Sequence, residues 1–186
     1  MMVDSRVLRT KKRLYKAMGE LLEEKAFNEI TVTDLTKKAK TTRKTFYTHY
    51  QDKIELIEEY QSQLFDMLND KLKNYKFLDE NYIRTYFEMV DKQDALLKGL
   101  MSYQGSLEMQ NLYREGMRHD VMILFANQIT DKNQLRYVSI IVANGLFGVT
   151  QEWLLNGKKE SPDEMAKLIV SLGLIPGKIF AENHSK

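Results

Sequence analysis

The residues of this chain best equipped for chemistry lie between Thr31 and Lys53, in the run TVTDLTKKAKTTRKTFYTHYQDK. They are donors. Arg43 and Lys44 suit the O6/N7 edge of guanine, and the hydroxyls of Thr45, Tyr47 and Thr48 suit phosphate oxygens. His49 and Lys53 extend the same set. This is the chemistry of gripping a polyanion, and for bond-breaking the chain is poorly supplied. It has no cysteine, three scattered histidines (His49, His119, His184), and no G-x-S-x-G, H-E-x-x-H or phosphate-cradling glycine loop. His119-Asp120 is the nearest approach to a catalytic or metal-binding pair, and it reads as an exposed pair on a helix. No enzymatic activity, cofactor or metal is expected.

Those donors need a frame. Thr33 precedes a short helix over 34–39, and Thr42 can cap another over 43–49. Leu35 and Ala39 on the first, with Phe46 and Tyr50 on the second, can form the small core that fixes their crossing, a helix-turn-helix pattern. Arg43, Lys44, Thr45, Tyr47, Thr48 and His49 then face outward, and Thr33 would aim backbone N–H groups at a phosphate. Ahead of this pair, Leu14, Ala17, Met18, Leu21 and Leu22 recur at helical spacing. Behind it a fourth helix starts at Asp52 and carries Leu56, Ile57, Tyr60, Leu64, Leu68, Leu72 and Tyr75 on one side. Further helices are expected near 82–90, 92–101, 107–129, 134–155 and 162–172. The last opens with Ser161-Pro162-Asp163-Glu164, a capping box with proline at N1, and Gly157 stops the helix before it. Gly19 is the only glycine before Gly99, and both prolines lie beyond residue 160, which is too little turn chemistry for a strand-rich fold. The expectation is an all-α chain of about nine helices.

The segment resembles the DNA-binding head of the TetR/AcrR regulators, whose pattern is roughly I-T-V-x-D-I-A-x-x-A-G-V-S-x-x-T-F-Y-x-Y-F-x-x-K-x-x-L. Ile30, Thr31, Val32, Asp34, Leu35, Ala39, Thr42, Thr45, Phe46, Tyr47, Tyr50, Lys53 and Leu56 match in register. The resemblance implies a helix-turn-helix domain over 1–53 and an effector-binding, dimerising helical domain over 54–186. It implies phosphate contacts by Thr45, Tyr47, Lys53 and His49, base reading by Arg43, Lys44 and Thr48, and places Thr31 and Thr42 in the same interface. Lys40 stands where the family has its turn glycine, at a cost of roughly 1 kcal/mol if the left-handed conformation is kept. Thr41 replaces an apolar residue, so a looser turn is expected. The C-terminal stretch around Gly145 to Met165 resembles a subgroup that includes dihydroxyacetone-kinase operon regulators.

The body adds two expectations. The run from Tyr137 to Gln151 carries no charge, but at fifteen residues it falls short of the about 20 a membrane span needs. Its helix has two apolar stripes, one of Leu135, Val138, Val142, Val149 and Trp153, the other of Ile140, Ile141, Phe147, Leu154 and Leu155. Both must be covered, one by the body and the other by a partner subunit or by more of the same core. The resemblance favours the partner and places Ile140, Ile141, Phe147, Gln151, Leu154, Met165, Leu168, Ile169 and Leu172 in a homodimer interface. It also implies a pocket for a small apolar or amphipathic effector among Phe65, Tyr86, Phe87, Met101, Tyr103, Met117, Met122 and Phe125, where core packing is the alternative.

Charge and composition agree. Hydrophobic residues at 43% and charged residues at 29% suit a globular chain. The net charge of +2 is divided: residues 1–54 hold thirteen Lys/Arg and seven Asp/Glu, so the remainder is net negative. The basic, polar N-terminus has no secretory core, and absent cysteines fit a reducing compartment. The expectation is a cytoplasmic, nucleoid-associated dimer on near-palindromic double-stranded operator DNA, with no membrane. An effector-independent activator or a protein-interaction adaptor on the same fold stays open.

Overall fold

The structure, a computed structural model, describes residues 5–75, 78–93 and 95–173. Among the described residues it is all-helical: α1 (Ser5–Leu22), a 3-10 turn (Phe27–Glu29), α2 (Val32–Lys38), α3 (Arg43–Tyr47), α4 (Lys53–Leu72), α5 (Glu80–Asp91), α6 (Ala95–Met101), α7 (Leu107–Phe125), α8 (Lys132–Leu155) and α9 (Pro162–Ser171). The expected stops shift where the backbone finds local partners. α4 ends at Leu72 and leaves Tyr75 in the turn that follows, with Tyr75 N–H bonded to Leu72 O at 3.0 Å. α7 ends at Phe125, where the Gln128 amide bonds the Leu124 carbonyl at 3.0 Å.

The chain groups into two compact units. The first, Met1–Leu64 with Gln93–Gln110, contains the expected head and adds the start of α4, α6 and the start of α7. In it α1 buries Leu14, Ala17, Met18, Leu21 and Leu22 and packs on α2 and α6. The crossing with α6 is close because a glycine stands on each side. A Cβ on Gly19 would lie 2.7 Å from Leu96 N and 2.8 Å from Ala95 C, and one on Gly99 would lie 2.8 Å from Leu22 Cβ. The 3-10 turn is pinned to the segment after α6 by Phe27 N–H on Gln104 O at 2.8 Å.

The second unit is Phe65–Lys92 with Asn111–Lys186. α5 lies along α9, and Arg84 bonds Asp163 at 2.9 Å and Glu80 at 2.8 Å. The ring of Phe87 meets Trp153 edge-on at 5.1 Å. α9 begins with the expected capping box: Ser161 Oγ accepts from Glu164 N, and Glu164 Oε2 accepts from Ser161 N at 2.7 Å. Gly157 holds φ +82 just past the end of α8, as a helix stop requires. α8, at 24 residues, is long and apolar enough to cross a membrane by length and composition. Val142, Ala143, Leu146, Phe147, Trp153 and Leu154 are buried within the unit, which is how a core helix covered on one side behaves.

Gly19→Ala is expected to destabilise the first unit by about 1–3 kcal/mol, because the new methyl meets backbone rather than a movable side chain. Chemical denaturation followed by circular dichroism checks this, and an unchanged midpoint would show the crossing to be looser than the contacts require.

Candidate functional site

α2 is held at its first turn by Thr31, not Thr33. Thr31 Oγ1 accepts from Asp34 N at 3.1 Å, and Asp34 Oδ2 accepts from Thr31 N at 3.0 Å. This reciprocal cap uses up the Thr31 hydroxyl, which also donates to Asp34 at 2.8 Å. The expectation that Thr33 marks the helix start is corrected by two residues, because the side chain that can reach the N3 amide decides the start. Thr33 itself is exposed on the first turn. Lys25 Nζ on Asp34 at 2.7 Å, with the Thr31 bonds, holds that carboxyl well below the usual aspartate range.

The turn keeps the left-handed residue: Lys40 sits at φ +50. Lys40 N–H bonds Lys37 O at 3.2 Å and Thr41 N–H bonds Thr36 O at 2.9 Å, the paired bonds of a Schellman motif. Thr41 therefore does not loosen the turn. Thr42 then caps α3, accepting from Thr45 N at 3.0 Å and sharing a 2.9 Å hydroxyl bond with Thr45. α3 ends at Tyr47, earlier than expected, where the Thr48 hydroxyl folds back onto Lys44 O at 2.9 Å.

Leu35, Ala39, Phe46 and Tyr50 are all buried, as the pattern requires. Opposite them Arg43, Lys44, Tyr47 and Thr48 are exposed, Tyr47 by 49%, while Thr45 and His49 are half-buried. The Arg43 guanidinium lies 5.9 Å over the Tyr47 ring, a stacked pair aimed outward. Of the six residues expected to face outward from the second helix, four are exposed and two are half-buried.

Lys53 is a correction. Its ammonium donates to Phe27 O at 2.6 Å, Ile30 O at 2.7 Å and Asn28 O at 3.3 Å, and lies 4.5 Å over the Phe27 ring. With all three donors on backbone carbonyls, it ties α4 to the 3-10 turn instead of reaching outward. A second tie lies behind α3. Tyr50 OH donates to Glu59 at 2.6 Å, and Lys11 Nζ donates to the other oxygen of Glu59 at 2.5 Å. Burial opposes ionisation of Glu59, yet the Lys11 and Tyr50 bonds outweigh it and keep the carboxyl below its usual range. The neighbouring Tyr15 hydroxyl is buried without a hydrogen-bond partner among the described residues, and burial pushes it up to about 12.

A basic groove of about 500 Å³ is lined by Arg6, Arg9, Thr10, Lys12 and Arg13 at the start of α1. These residues were absent from the expected site. The signal for them was the charge of the first helix, visible without any motif.

The residues of the expected pocket divide between the two units. Tyr86, Phe87, Met117 and Phe125 are buried in the second unit's core, and Phe65 packs on Tyr113 at 5.4 Å, where Gly116 makes room for its ring. Tyr86 OH reaches Tyr113 OH at 3.2 Å and Thr150 Oγ1 at 3.1 Å. Met122 is half-buried on α7. Met101 is buried in the first unit, and Tyr103 is 87% exposed there. Aromatic and Met content marks core and cavity alike. Instead a cleft of about 290 Å³ opens between Asn69, Leu72, Lys73, Tyr75, Tyr82, His119, Asp120, Ile123 and Leu124. The dimer expectation also divides. Phe147, Leu154, Met165 and Ile169 are buried in their own unit. Ile141, Leu168 and Leu172 are exposed by 63%, 45% and 60%, while Ile140 and Gln151 are half-buried.

Residues 14–60 match the family model for bacterial regulatory proteins of the tetR family, and residues 79–173 match a transcriptional regulator C-terminal region of that family. An uncharacterized HTH-type transcriptional regulator, YxbF, from Bacillus subtilis (strain 168) is 44% identical over 57 residues, 30% of this chain and 15% of its own length. The HTH-type dhaKLM operon transcriptional activator DhaS from Lactococcus lactis subsp. lactis is 31% identical over 85 residues, 40% of this chain and 46% of its own. The alignments thus span less than half of either relative. A crystal structure of a TetR transcriptional regulator from Streptococcus agalactiae 2603V shares the fold with a TM-score of 0.67 at 20% identity, covering 92% of this chain and 97% of that one.

Lys53→Ala is expected to destabilise the first unit by about 1.5–3 kcal/mol, the worth of hydrogen bonds to a charged group, while leaving the salt dependence of DNA binding unchanged. A salt slope shallower by about one would return Lys53 to the phosphate. Glu59 adds a pH dependence. Its folded pKa is depressed from the ordinary 4.5, so its contribution is complete above that value and lost as pH falls through the folded pKa. Glu59→Gln is expected to flatten this acid limb in a pH series of unfolding curves.

Proposed function

Because the chain belongs to the TetR family of bacterial regulatory proteins, and is a DNA-binding transcription regulator, we propose that it works as a homodimer that reads near-palindromic operator DNA and responds to a small apolar or amphipathic effector. The observation that carries the DNA side is the exposed run Arg43, Lys44, Tyr47 and Thr48 on a helix whose other face is sealed by Phe46 and Tyr50. In this reading Arg43, Lys44 and Thr48 meet base edges in the major groove, and Tyr47, His49 and Thr33 contact phosphates. The basic groove of α1 adds charge along the backbone. Residues 1–53 form the reading head, and 54–186 carry dimerisation and the effector site.

The dimer reading is supported by an unpartnered face. Tyr137, Ile141 and Gly148 lie along one side of α8, where a Cβ on Gly148 would meet nothing within 4 Å, and Leu168 and Leu172 are exposed on α9. A shallow groove of about 270 Å³ runs beside it from Gly148 to Leu168. A second subunit would cover this face, so α8 serves as interface and not as a membrane span. One small head offers few contacts, whereas two on a two-fold axis read half-sites about a helical turn apart. The place of action is the cytoplasm, on the nucleoid, with no catalytic step. Release of a repressor is the first reading of the response. The Lactococcus lactis relative is described as an activator, and that favours activation as the second.

Arg43→Ala or Lys44→Ala is expected to relax sequence preference at a cost of about 1–3 kcal/mol per base contact, while Tyr47→Phe weakens binding evenly across sequences. Salt-matched gel shifts on operator and scrambled duplexes check this, and operator affinity indifferent to all three would remove α3 from the interface. Ile141→Asp is expected to yield monomers in analytical ultracentrifugation with operator binding lost. Intact dimers would place the interface elsewhere.

A further inference from the structure

We propose that the cleft between the end of α4, the start of α5 and the C-terminal end of α7 is a binding site for a small aromatic or alkyl organic cation, with Asp120 as its counter-charge. The cleft, about 290 Å³, holds a molecule of roughly a dozen heavy atoms. Leu72, Ile123 and Leu124 give it apolar walls, and Tyr75 and Tyr82 stand edge to face at 5.7 Å, the kind of aromatic surface that attracts a cation.

The sign of the ligand follows from which charges are spoken for. Asp120 is half-buried and has no hydrogen bond or ion pair among the described residues. The cationic group in the cleft, Lys73, is exposed and already bonded to Asp70 at 2.9 Å, and His119 is exposed at the rim. An anion would have to settle against the one uncompensated carboxylate. A cation would satisfy it. Burial raises the Asp120 pKa, with His119 pulling the other way, and burial together with the Asp120 charge raises that of the Tyr82 phenol. Burial is the leading cause of both shifts, so a cation beside Asp120 would oppose them. Removing a charge from water is costly unless it is paired, so a carboxylate partly withdrawn into a cleft with apolar walls and no partner among the described residues is a place where a cation gains.

The inference rests on the effector reading for its purpose, but binding can be measured without DNA. Isothermal titration of the full chain with benzyltrimethylammonium is the first arm, and 3-phenylpropanoate, an anion of similar size, is the second. Saturable binding of the cation, absent for the anion, is expected. Asp120→Asn is expected to lower cation affinity about tenfold or more, the loss of one partly desolvated charge pair, and a thermal melt of that variant confirms that it is folded. Equal affinity in the Asn variant, preference for the anion, or no saturation by either probe would overturn the proposal. If the cation binds through Asp120 yet leaves operator affinity unchanged in a gel shift, the effector reading fails and the site stands.

Discussion

A helix of five residues cannot hold its own shape in water, since forming the first turn costs more order than its few hydrogen bonds return. α3, which presents the outward donors, is only Arg43–Tyr47. Its geometry is therefore imposed from outside. Thr42 caps its start, Phe46 and Tyr50 anchor its inner side, and the Schellman turn at Lys40 sets the angle at which it leaves α2. Behind it, Lys11 and Tyr50 meet on Glu59, and Lys53 gathers the carbonyls of the 3-10 turn. These ties come from α1 and α4, so the surface α3 presents is a property of the whole first unit.

That arrangement explains why residues that look alike on paper have different work. Lys53 and Lys44 are both lysines in a basic segment, yet one ammonium is enclosed by three carbonyls and the other is in solvent. Lys38 likewise turns to Glu24 at 2.7 Å, joining α2 to the turn after α1. Lys11, Lys25, Lys38 and Lys53 are thus engaged in holding the head together. Arg43 and Lys44 on α3 and Arg9, Lys12 and Arg13 on α1 are exposed.

The second unit divides its apolar residues in the same way. α8 spends Val142, Leu146, Phe147 and Leu154 on its own core and leaves Tyr137 and Ile141 uncovered. The buried hydroxyls of Tyr86, Tyr113 and Thr150 satisfy one another inside that core, which stabilises only because every member has a partner. Asp120 differs in lacking one among the described residues, and it does so at the edge of a cleft. The end of α4 lines this cleft with Asn69 and Leu72, and Lys73 follows it, while the other end of the same helix carries Lys53.

The amino-acid sequence alone determined the helical class, the helix-turn-helix register, the caps at Thr42 and Ser161, and the buried set Leu35, Ala39, Phe46 and Tyr50. All of these depend on neighbours within a few residues, where spacing and side-chain type are sufficient. It did not determine where Lys53 points, which half of the α8 residues face inward, or that Phe87 and Phe125 belong to core while Tyr75 and Tyr82 border a cleft. Each of those depends on a segment tens of residues away: the Phe27 turn for Lys53, α9 for α5, α7 for the cleft. Periodicity shows that a face is apolar but cannot say what covers it, and only the tertiary packing decides that.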